Sequence, residues 1–513
     1  MPGPPAIGPV LAPYRPQRAA IDRHLRTLLL LLLVACTGAV YGFLFALSPY
    51  LVLFLLGSLA TLGAAVIWAL PDHDHAPTGL LRRLFFGAVV VMVVWPNYVA
   101  IAVPGLPWIS MQRLLLVPMC VALGVCLSMS GAFRRDMGAT LAACPRMARL
   151  LAGLVVIQFL SMGMAYDHLV EAAKDLFNYQ IVWIAPFFAG VYLFRDERNV
   201  GLFFAALLAG ALVLLCIGQL EAINRQALWA GHIPAFLKID AEMIDLILRG
   251  SARADAYRVQ ASFSTSLALA EYLAMVTPVV VHLLMSTKRV AIRIAAVALD
   301  LAIVLTILQT QSRLGLVGFI VAHAFYLGGW FLRHWRANRT SIVGPMATLA
   351  YPAAMAVTIA AILSVNAISE RVLGGGAAHA STVSRGVQWE RALGILVKSP
   401  LFGHGPRSGA ASLDFRNAAG TLTLDSYFLS ILLDYGVLGF LCFYGMVIIA
   451  LVEALALGLT ARRGPDSWGL AIATALLVFL TTKVVLSQED NVPLAFMLMG
   501  MTVAMLWRRK QAG

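Results

Sequence analysis

Long apolar runs, each about 20 residues in length, recur along almost the whole chain. A helix of about 20 residues crosses the hydrocarbon core of a bilayer. The runs are continuously apolar and do not alternate, so helices are expected and not the strands of a membrane barrel. The predicted fold is an all-α integral membrane protein with about 14 transmembrane helices, within a range of about 12–14. The predicted segments are 27–46, 49–70, 84–103, 114–130, 150–165, 177–194, 200–219, 264–286, 294–311, 314–332, 346–365, 426–452, 469–487 and 492–507.

Two connections between the apolar runs, residues 220–263 and 366–425, are much longer than the others. Long loops are where a membrane enzyme can hold a site against lipid and water together. In the first, apolar side chains from Phe236 to Leu248 share one helical face, which predicts a short helix lying in the membrane interface. The second loop is expected to be helical and to carry the active site. No strand is predicted anywhere.

Composition agrees with this class. Of 513 residues, 60% are hydrophobic and 12% are charged, a balance that no soluble domain can hide beneath a polar surface. The net charge of +13 does not indicate nucleic-acid binding, because the basic residues form short clusters between apolar runs. Residues 1–25, rich in proline and arginine, are expected to form a disordered cytoplasmic tail, followed by one polytopic membrane domain over 26–513. The six cysteines indicate neither a disulfide framework nor a metal site.

Lysine and arginine mark the orientation of the helices. Cytoplasmic loops retain these residues, and alternating the predicted helices puts the basic clusters on one side. The short loops of the other side hold only Arg113, Lys174 and Arg313. Both termini are therefore predicted to be cytoplasmic, and both long loops face outward.

Arg258 lies where the first long loop returns to the membrane, and Arg313 closes a short outward turn. A guanidinium group stays charged and offers five donors in a planar fork, so two such groups could grip a pyrophosphate. The alternative is that each arginine is an anchor that snorkels from a helix end to the membrane surface.

The second loop contains several features in a fixed order. These are Arg385, Trp389 and Arg391, then Lys-Ser-Pro-Leu-Phe-Gly-His-Gly-Pro at 398–406, then Asp425 and Ser426 opening a helix, and then Asp-Tyr-Gly-Val-Leu-Gly at 434–439. Together with Arg258 and Arg313, they resemble the signature of the O-antigen ligase and O-antigen polymerase family of polytopic glycosyltransferases. The resemblance covers about residues 255–440.

The resemblance implies a metal-independent glycosyl transfer, without a cofactor, at the periplasmic face of the bacterial inner membrane. The donor would be a glycan linked through pyrophosphate to a polyprenol such as undecaprenol. The acceptor would be another glycan, in polymerisation of O-antigen or exopolysaccharide repeats, or the lipid A core, in ligation to lipopolysaccharide. Arg258 and Arg313 would bind the donor pyrophosphate, with Arg385 and Arg391 as further phosphate contacts.

The catalytic base departs from the ligase pattern. Ligases of the family generally have a histidine followed by Asn or Ser at the start of the helix after the loop, whereas this chain has Asp425 and Ser426. A carboxylate can accept the proton of an acceptor hydroxyl, and the change favours polymerase activity. Asp425 could instead be the helix N-cap. His404 and His379 are alternative bases, although His404 lies between two glycines in a predicted tight turn.

Charged residues in or near the apolar runs are further functional candidates. Asp300 and Lys483 could pair inside the bundle or form an ion pathway, and Glu271 lies in another run. Glu489 and Asp490, in a short outward turn, could shape an acceptor or cation site, although a solvated turn is the simpler interpretation.

Two other functions remain open. A flippase for lipid-linked glycans would use the intramembrane charges, but no repeat relates the two halves of the chain. An inactive scaffold of a polysaccharide assembly complex would explain the missing histidine, although it would gain nothing from the arginines. Membrane lipids are expected partners, and polysaccharide assembly machinery is a further one.

Overall fold

The computed structural model describes most of the chain from residue 75 onward. The described ranges are 75–101, 109–165, 168–229, 232–234, 236–239, 257–338, 342–364, 377–416, 422–461 and 464–512, with a few isolated helical positions between 28 and 63. The predicted tail at 1–25 and nearly all of the first two predicted helices lie outside these residues. The total of 14 helices therefore stays a prediction.

Helices make up most of the described chain, so the predicted all-α class is confirmed apart from one small sheet. They are α1 (Thr78–Val94), α2 (Met111–Met129), α3 (Gly131–Leu141), α4 (Pro145–Ser161), α5 (Leu169–Tyr179), α6 (Ala185–Leu193), α7 (Glu197–Asn224), α8 (Ser266–Ser286), α9 (Val290–Gln309), α10 (Arg313–Ala337), α11 (Val343–Ser364), α12 (Ala377–Leu396), α13 (Ser408–Leu413), α14 (Tyr427–Thr460), α15 (Gly469–Lys483) and α16 (Val492–Ala512). A π-helical stretch, Gln180–Ile184, joins α5 to α6.

Eight spans among the described helices are long and apolar enough to cross a membrane. Every predicted segment from 84–103 onward overlaps a described helix. Many apolar side chains on these helices are exposed, and on α9 they include Val290, Ile294 and Leu301. Exposed apolar faces of this extent need lipid around them. The chain is therefore a multi-pass membrane protein.

Helix α8 lies at the centre of the bundle. Nearly all of its residues from Ser266 to His282 are buried, and it packs against α7, α9, α10 and α15. Helix α14 is the second organising element, because α4, α15 and α16 pack against it. The ends of α8 and α14 that begin near Ser266 and Tyr427 carry the candidate site described below.

A small antiparallel sheet corrects the prediction that the chain has no strands. Its strands are β1 (Val99–Ile101), β2 (Ile109–Ser110) and β3 (Leu237–Ile239), in the order β2-β1-β3. Ala100 pairs with both Ser110 and Lys238. Strands of two or three residues are too short to produce a period-2 pattern, and β3 comes from a distant part of the sequence.

The same sheet corrects two predicted helices. The predicted segment 84–103 includes strand β1, because helix α1 already ends at Val94. Trp95 precedes Pro96, and a proline disfavours the helical conformation of the residue before it. The predicted interfacial helix over 236–248 begins instead as strand β3. The remainder of that predicted helix, 240–248, lies outside the described residues.

Candidate functional site

Arg258 and Arg313 are both located at the turn between α9 and α10, which is called the arginine turn below. The Nε of Arg258 donates a hydrogen bond to the carbonyl oxygen of Thr310 at 3.0 Å, and the backbone N–H of Val259 donates to Gln309 at 3.3 Å. Arg313 opens α10 three residues after Thr310. The two arginines, 55 positions apart in sequence, are thus attached to the same short connection between α9 and α10.

The segment that carries Arg258 is held by a buried carboxylate. Glu221, near the end of α7, accepts hydrogen bonds from the backbone N–H of Ala261 at 2.6 Å and of Gln260 at 3.3 Å. It also accepts one from the Tyr257 hydroxyl. Charge-assisted hydrogen bonds are the stronger kind. The backbone around Arg258 is therefore fixed from both sides.

Asp425 is bound by a side chain from helix α12. The buried Gln388 of α12 accepts a hydrogen bond from the Asp425 backbone N–H at 2.9 Å, and its amide nitrogen donates to the Asp425 carboxylate at 3.4 Å. The N-cap of α14 is Ser426, whose hydroxyl accepts from the backbone N–H of Leu429. The interpretation of Asp425 as the helix cap is therefore wrong, because its neighbour fills that role.

The two remaining predicted arginines lie on α12 but have different surroundings. Arg385 is one turn before Gln388, which puts it on the same helix face as the contact with Asp425. Its Nε is buried and makes no hydrogen bond within the described part of the chain. Arg391 is exposed, with its guanidinium 5.6 Å from the ring centroid of Phe415, so it faces the chain that follows α13.

Helix α14 is broken at Gly436, and the loop 400–405 fills the break. Gly436 has φ +66°. Beside it, the backbone N–H groups of His404 and Gly405 donate to the carbonyls of Leu433 at 2.8 Å and Asp434 at 3.0 Å, and that of Val437 donates to Pro400 at 2.8 Å. The loop thereby satisfies backbone groups that the helix leaves open, as a helix interruption within a membrane protein requires.

His404, one of the two alternative bases, lies near the end of that loop. Its Nδ1 lies 3.3 Å from the Leu433 carbonyl oxygen, which is a contact for a protonated Nδ1 and leaves Nε2 as the basic nitrogen. Gly403 and Gly405 have φ +70° and +104°, so the predicted tight turn is present. A Cβ on Gly403 would lie 2.5 Å from the Asp434 carbonyl. The side chain of His379, the other alternative base, lies outside the described residues.

A polar cavity of about 220 Å³ opens beside these elements. It lies between the end of α1, the start of α2, the π-helical stretch and the turn before α16. Its polar lining consists of Asn97, Ser110, Gln112, Arg113, Asn178, Glu489 and Asp490. This mixture of amides, carboxylates and a guanidinium offers both donors and acceptors, which suits a ligand rich in hydroxyl groups.

Both carboxylates of the cavity accept hydrogen bonds from neighbouring elements, and Glu489 is also exposed, so the turn is solvated and bound by the protein at the same time. Asp490 accepts from Asn97 at 2.8 Å and from the Ser264 hydroxyl at 3.0 Å. Glu489 accepts from the Tyr179 hydroxyl at 3.2 Å. Ser264 belongs to the stretch that begins at Arg258, so the cavity adjoins the arginine turn.

The surroundings of Glu489 make it a proton acceptor suited to neutral pH. Its side chain lines the cavity and is exposed. Desolvation by the neighbouring protein raises the pKa of Glu489 to about 7, and the opposite charge of Arg407 limits the rise. Burial also raises the pKa of Asp490 above its ordinary value. A base with a pKa near the working pH is the most effective kind.

A buried ion pair fixes the turn that bears this cavity. Lys483 Nζ lies 2.9 Å from Glu271 Oε2, and both side chains are fully buried. Thr482 and Asn491 donate to the same carboxylate at 2.8 Å and 3.0 Å, and Lys483 also donates to the carbonyl of Gln488. The predicted pairing of Lys483 with Asp300 is therefore wrong.

Asp300 instead lies 3.1 Å from His323 Nε2. The sequence could not predict the pairing of Asp300 with His323, because any basic residue in another apolar run was an equally suitable partner. Lys483 also stands 5.3 Å from the ring of Tyr427, two residues beyond Asp425. The buried pair thus connects the cavity turn to the start of α14.

The family comparison agrees with the motifs. Residues 297–444 match the family model described as O-Antigen ligase. The resemblance to the O-antigen ligase family is thereby confirmed. No curated protein matches the chain.

The O-antigen ligase match runs from within α9 to just beyond the break in α14. It contains Arg313, Arg385, Arg391, His404 and Asp425, whereas Arg258 and Glu489 lie outside it. The O-antigen ligase family implies a glycosyltransferase-like activity in polysaccharide or O-antigen assembly, with lipid-linked glycan and polysaccharide substrates. Among the residues that the structure describes, no group of three or more His, Cys, Asp or Glu side chains could hold a metal.

Several contacts of this candidate site were not predicted. His168 Nε2 lies 2.9 Å from the Ser408 hydroxyl, and Arg407 lies 3.4 Å from Asp175. The contact of Gln388 with Asp425 and the position of Arg113 in the cavity lining were also found only in the structure. None of these residues belongs to a local motif, because their partners come from helices far away in sequence. A polar side chain near a predicted helix end was the only available signal.

Proposed function

We propose that this protein transfers a glycan from a polyprenyl pyrophosphate, such as undecaprenyl pyrophosphate, at the periplasmic face of the bacterial inner membrane. The product is a polymer of O-antigen or exopolysaccharide repeats, or a glycan ligated to the lipid A core. The hydrogen bond from Arg258 to Thr310 carries the proposal. It attaches a second arginine to the turn that carries Arg313, within the segment that matches the O-antigen ligase family model.

The donor site consists of arginines. Arg258 and Arg313 bind the pyrophosphate, and Arg385 and Arg391 are the proposed further phosphate contacts. Negative charge grows on the pyrophosphate as the glycosidic bond breaks, and guanidinium groups held in advance stabilise it. The hydrogen bonds of Glu221 to residues 260 and 261 support such preorganisation. Because the arginines supply the positive charge, the proposed reaction needs no metal or cofactor.

Asp425 is the proposed base, and His404 is the alternative. The acceptor hydroxyl oxygen forms a bond to the anomeric carbon, the bond from that carbon to the pyrophosphate breaks, and the hydroxyl proton passes to the base. Gln388 orients the Asp425 carboxylate. The polar cavity beside Ser264 is the proposed binding place of the acceptor sugar, and the carboxylates of Glu489 and Asp490 line it.

The proposed orientation puts this site outside. Lysine and arginine clusters lie at the opposite ends of the helices, which supports cytoplasmic termini. The acceptor and donor glycans would then meet on the periplasmic side, where lipid-linked glycans are available after translocation. Other members of a polysaccharide assembly machinery would supply them.

Substitution of the arginines tests the donor site. We expect Arg258→Gln and Arg313→Gln each to lower product formation by about 100-fold or more, since each removes a charge-assisted contact to the transition state. Protein levels in the membrane should stay unchanged. Arg336→Gln, an exposed position at the other end of α10, is the matched control. Full activity of both site variants would refute the mechanism.

Replacement of the proposed base gives a second test. Asp425→Asn should lower the rate about 100-fold or more, the usual contribution of a general base, while Asp414→Asn in the same outward loop should retain activity. If only His404→Gln inactivates the purified protein, the base is His404. Flux of labelled glycolipid across proteoliposomes without polymer formation would indicate a flippase.

Polymerase and ligase are distinguished by the lipid-linked glycans that accumulate in a strain lacking this protein. Mass spectrometry of the lipid extract measures their length. Single repeat units would indicate a blocked polymerase, and long lipid-linked chains would indicate a missing ligase. A lipid extract unchanged from that of the parent strain would contradict both functions.

A further inference from the structure

A second cavity lies at the membrane surface opposite the candidate site. It is bounded by the last turns of α8 and α10 and by the turn that precedes α15, and its volume is about 490 Å³. Helix α8 begins beside the arginine turn and runs for 21 residues. At 1.5 Å per residue, its two ends are about 30 Å apart, which is one bilayer thickness. This cavity and the proposed transfer site are therefore on opposite surfaces.

The floor of the cavity is a chain of polar groups held in fixed positions. The buried His282 has its Nδ1 2.9 Å from the Tyr326 hydroxyl and its Nε2 3.5 Å from the Ser467 hydroxyl. The imidazole ring also lies against Trp468, with centroids 4.1 Å apart. Helices α8 and α10 and the turn before α15 thus contribute to one polar surface at the level of the membrane boundary.

The mouth of the cavity is basic. Lys288, Arg333 and His334 belong to the lining, and none of the residues that line it is an aspartate or glutamate. Arg333 lines the same cavity as His282 and Tyr326 of the floor. Trp330 stacks on His334 with ring centroids 5.6 Å apart. An aromatic wall below a ring of cations is typical of lipid headgroup sites.

We propose that this cavity binds a phosphate-bearing anion, supplied by the headgroup of an anionic phospholipid in the facing leaflet. Lys288 and Arg333 would contact the phosphate, and the Tyr326 and Ser467 hydroxyls would meet the polar part of the headgroup. A lipid enters such a cavity from the membrane, and the apolar Val290 and Ile294, which follow Lys288 in sequence, are exposed. Free phosphate offers the same chemistry from the aqueous side.

Native mass spectrometry of the purified full-length protein tests the proposal. Phosphatidylglycerol should bind at least about tenfold more tightly than phosphatidylcholine, as one or more extra charge-assisted contacts predict. Arg333→Gln should lower the affinity for phosphatidylglycerol by about tenfold, and Lys288→Gln should act in the same direction. Lys288 is exposed between two helices, so its replacement does not threaten folding.

Arg336→Gln is the matched control. It removes the same charge from the same helix, at an exposed position outside the cavity lining. We expect its affinity for phosphatidylglycerol to stay within about twofold of the unmodified protein. An equal loss in this control would show that only general surface charge is involved, and would overturn the site.

Titration with inorganic phosphate separates the two sources of the anion. Phosphate at millimolar concentration should not displace phosphatidylglycerol, because a free anion lacks the acyl chains that anchor the lipid. Binding of phosphate without any preference for phosphatidylglycerol would overturn the lipid as the occupant. These binding measurements do not depend on glycosyl transfer, so they can fail or succeed independently of the proposed function.

Discussion

At the scale of single residues, four acidic side chains near the candidate site differ in their partners. Glu271 is paired with Lys483 and is fully buried. Asp434 accepts from the backbone of Gly409 at 2.7 Å and holds the start of α13. Asp425 and Glu489 instead have partly accessible carboxylates, bound by Gln388 and by the Tyr179 hydroxyl. The first two are suited to structural roles, and the last two can meet a substrate.

Glu489 should make the stability of the protein depend on pH. Its folded-state pKa of about 7 is higher than the ordinary value of 4.5, so the folded state favours the neutral form. The resulting stabilisation is present below about pH 4.5 and is lost as the pH rises through about 7. We expect the melting temperature in detergent to fall less between pH 5 and pH 8 in Glu489→Gln than in the unmodified protein.

Glu390→Gln is the control for this measurement, because Glu390 is exposed on α12. Its melting temperature should follow that of the unmodified protein at every pH. A pH profile of Glu489→Gln identical to the unmodified one would contradict the assignment of a raised pKa to Glu489.

Removing one member of the buried ion pair should strongly destabilise the fold. Lys483→Met leaves the Glu271 carboxylate without its cation in a fully buried position, which typically costs about 3–5 kcal/mol. The double variant Glu271→Gln, Lys483→Met removes both charges and should regain part of that loss. Thermal unfolding of the three proteins in detergent measures the difference. If the double variant is no more stable than Lys483→Met, the charge explanation is wrong.

At the scale of elements, the break in α14 and the loop 400–405 act as one unit. The loop replaces the helical hydrogen bonds that Gly436 interrupts. It can approach because Gly403 and Gly436 have no side chain, and a Cβ on either would overlap the backbone of the other segment. This unit fixes α13 and the start of α14, and therefore Asp425, relative to the membrane helices.

Gly436→Ala should accordingly unfold this unit first. Alanine at positive φ costs about 1–2 kcal/mol, and overlap with the Leu401 carbonyl adds about 1–3 kcal/mol. Gly394→Ala is the control, since Gly394 lies in α12 with open space around it and alanine favours helix there. Limited proteolysis within residues 400–416 should accelerate in Gly436→Ala only. Equal resistance in both variants would exclude the proposed dependence on glycine.

At the scale of the whole molecule, the two cavities lie at opposite ends of the helix bundle. One end of the bundle gathers the arginine turn, Asp425 and the carboxylate cavity. The other end gathers the basic cavity around His282 and Arg333. The buried helix α8 connects them, beginning close to Ser264 and ending at Ser286.

This arrangement predicts opposite accessibility for the two ends. A cysteine introduced as Asp414→Cys, at a side chain 74% exposed, should react with a membrane-impermeant maleimide in intact cells with a permeabilised outer membrane. Gln511→Cys should react only after the inner membrane is lysed. The unmodified protein measures the background from its six cysteines. The reverse labelling pattern would invert the proposed topology.

The sequence by itself determined the class of the protein, because hydropathy is a local property that each apolar run displays independently of its partners. It also predicted the O-antigen ligase resemblance and the importance of residues 398–439, where glycines and polar residues interrupt the apolar pattern. The strands were missed, since two or three residues produce no pattern of their own.

Only the tertiary structure decided which side chains meet. Three pairings depend on how distant helices pack: Lys483 with Glu271, Asp425 with Gln388, and Arg258 with the turn before Arg313. From the sequence alone, each of these residues had several equally suitable partners. The same holds for Glu489, whose contact with the Tyr179 hydroxyl joins two distant parts of the sequence. Desolvation by neighbouring elements, which no local pattern records, raises the pKa of this carboxylate, and their packing puts it at the cavity.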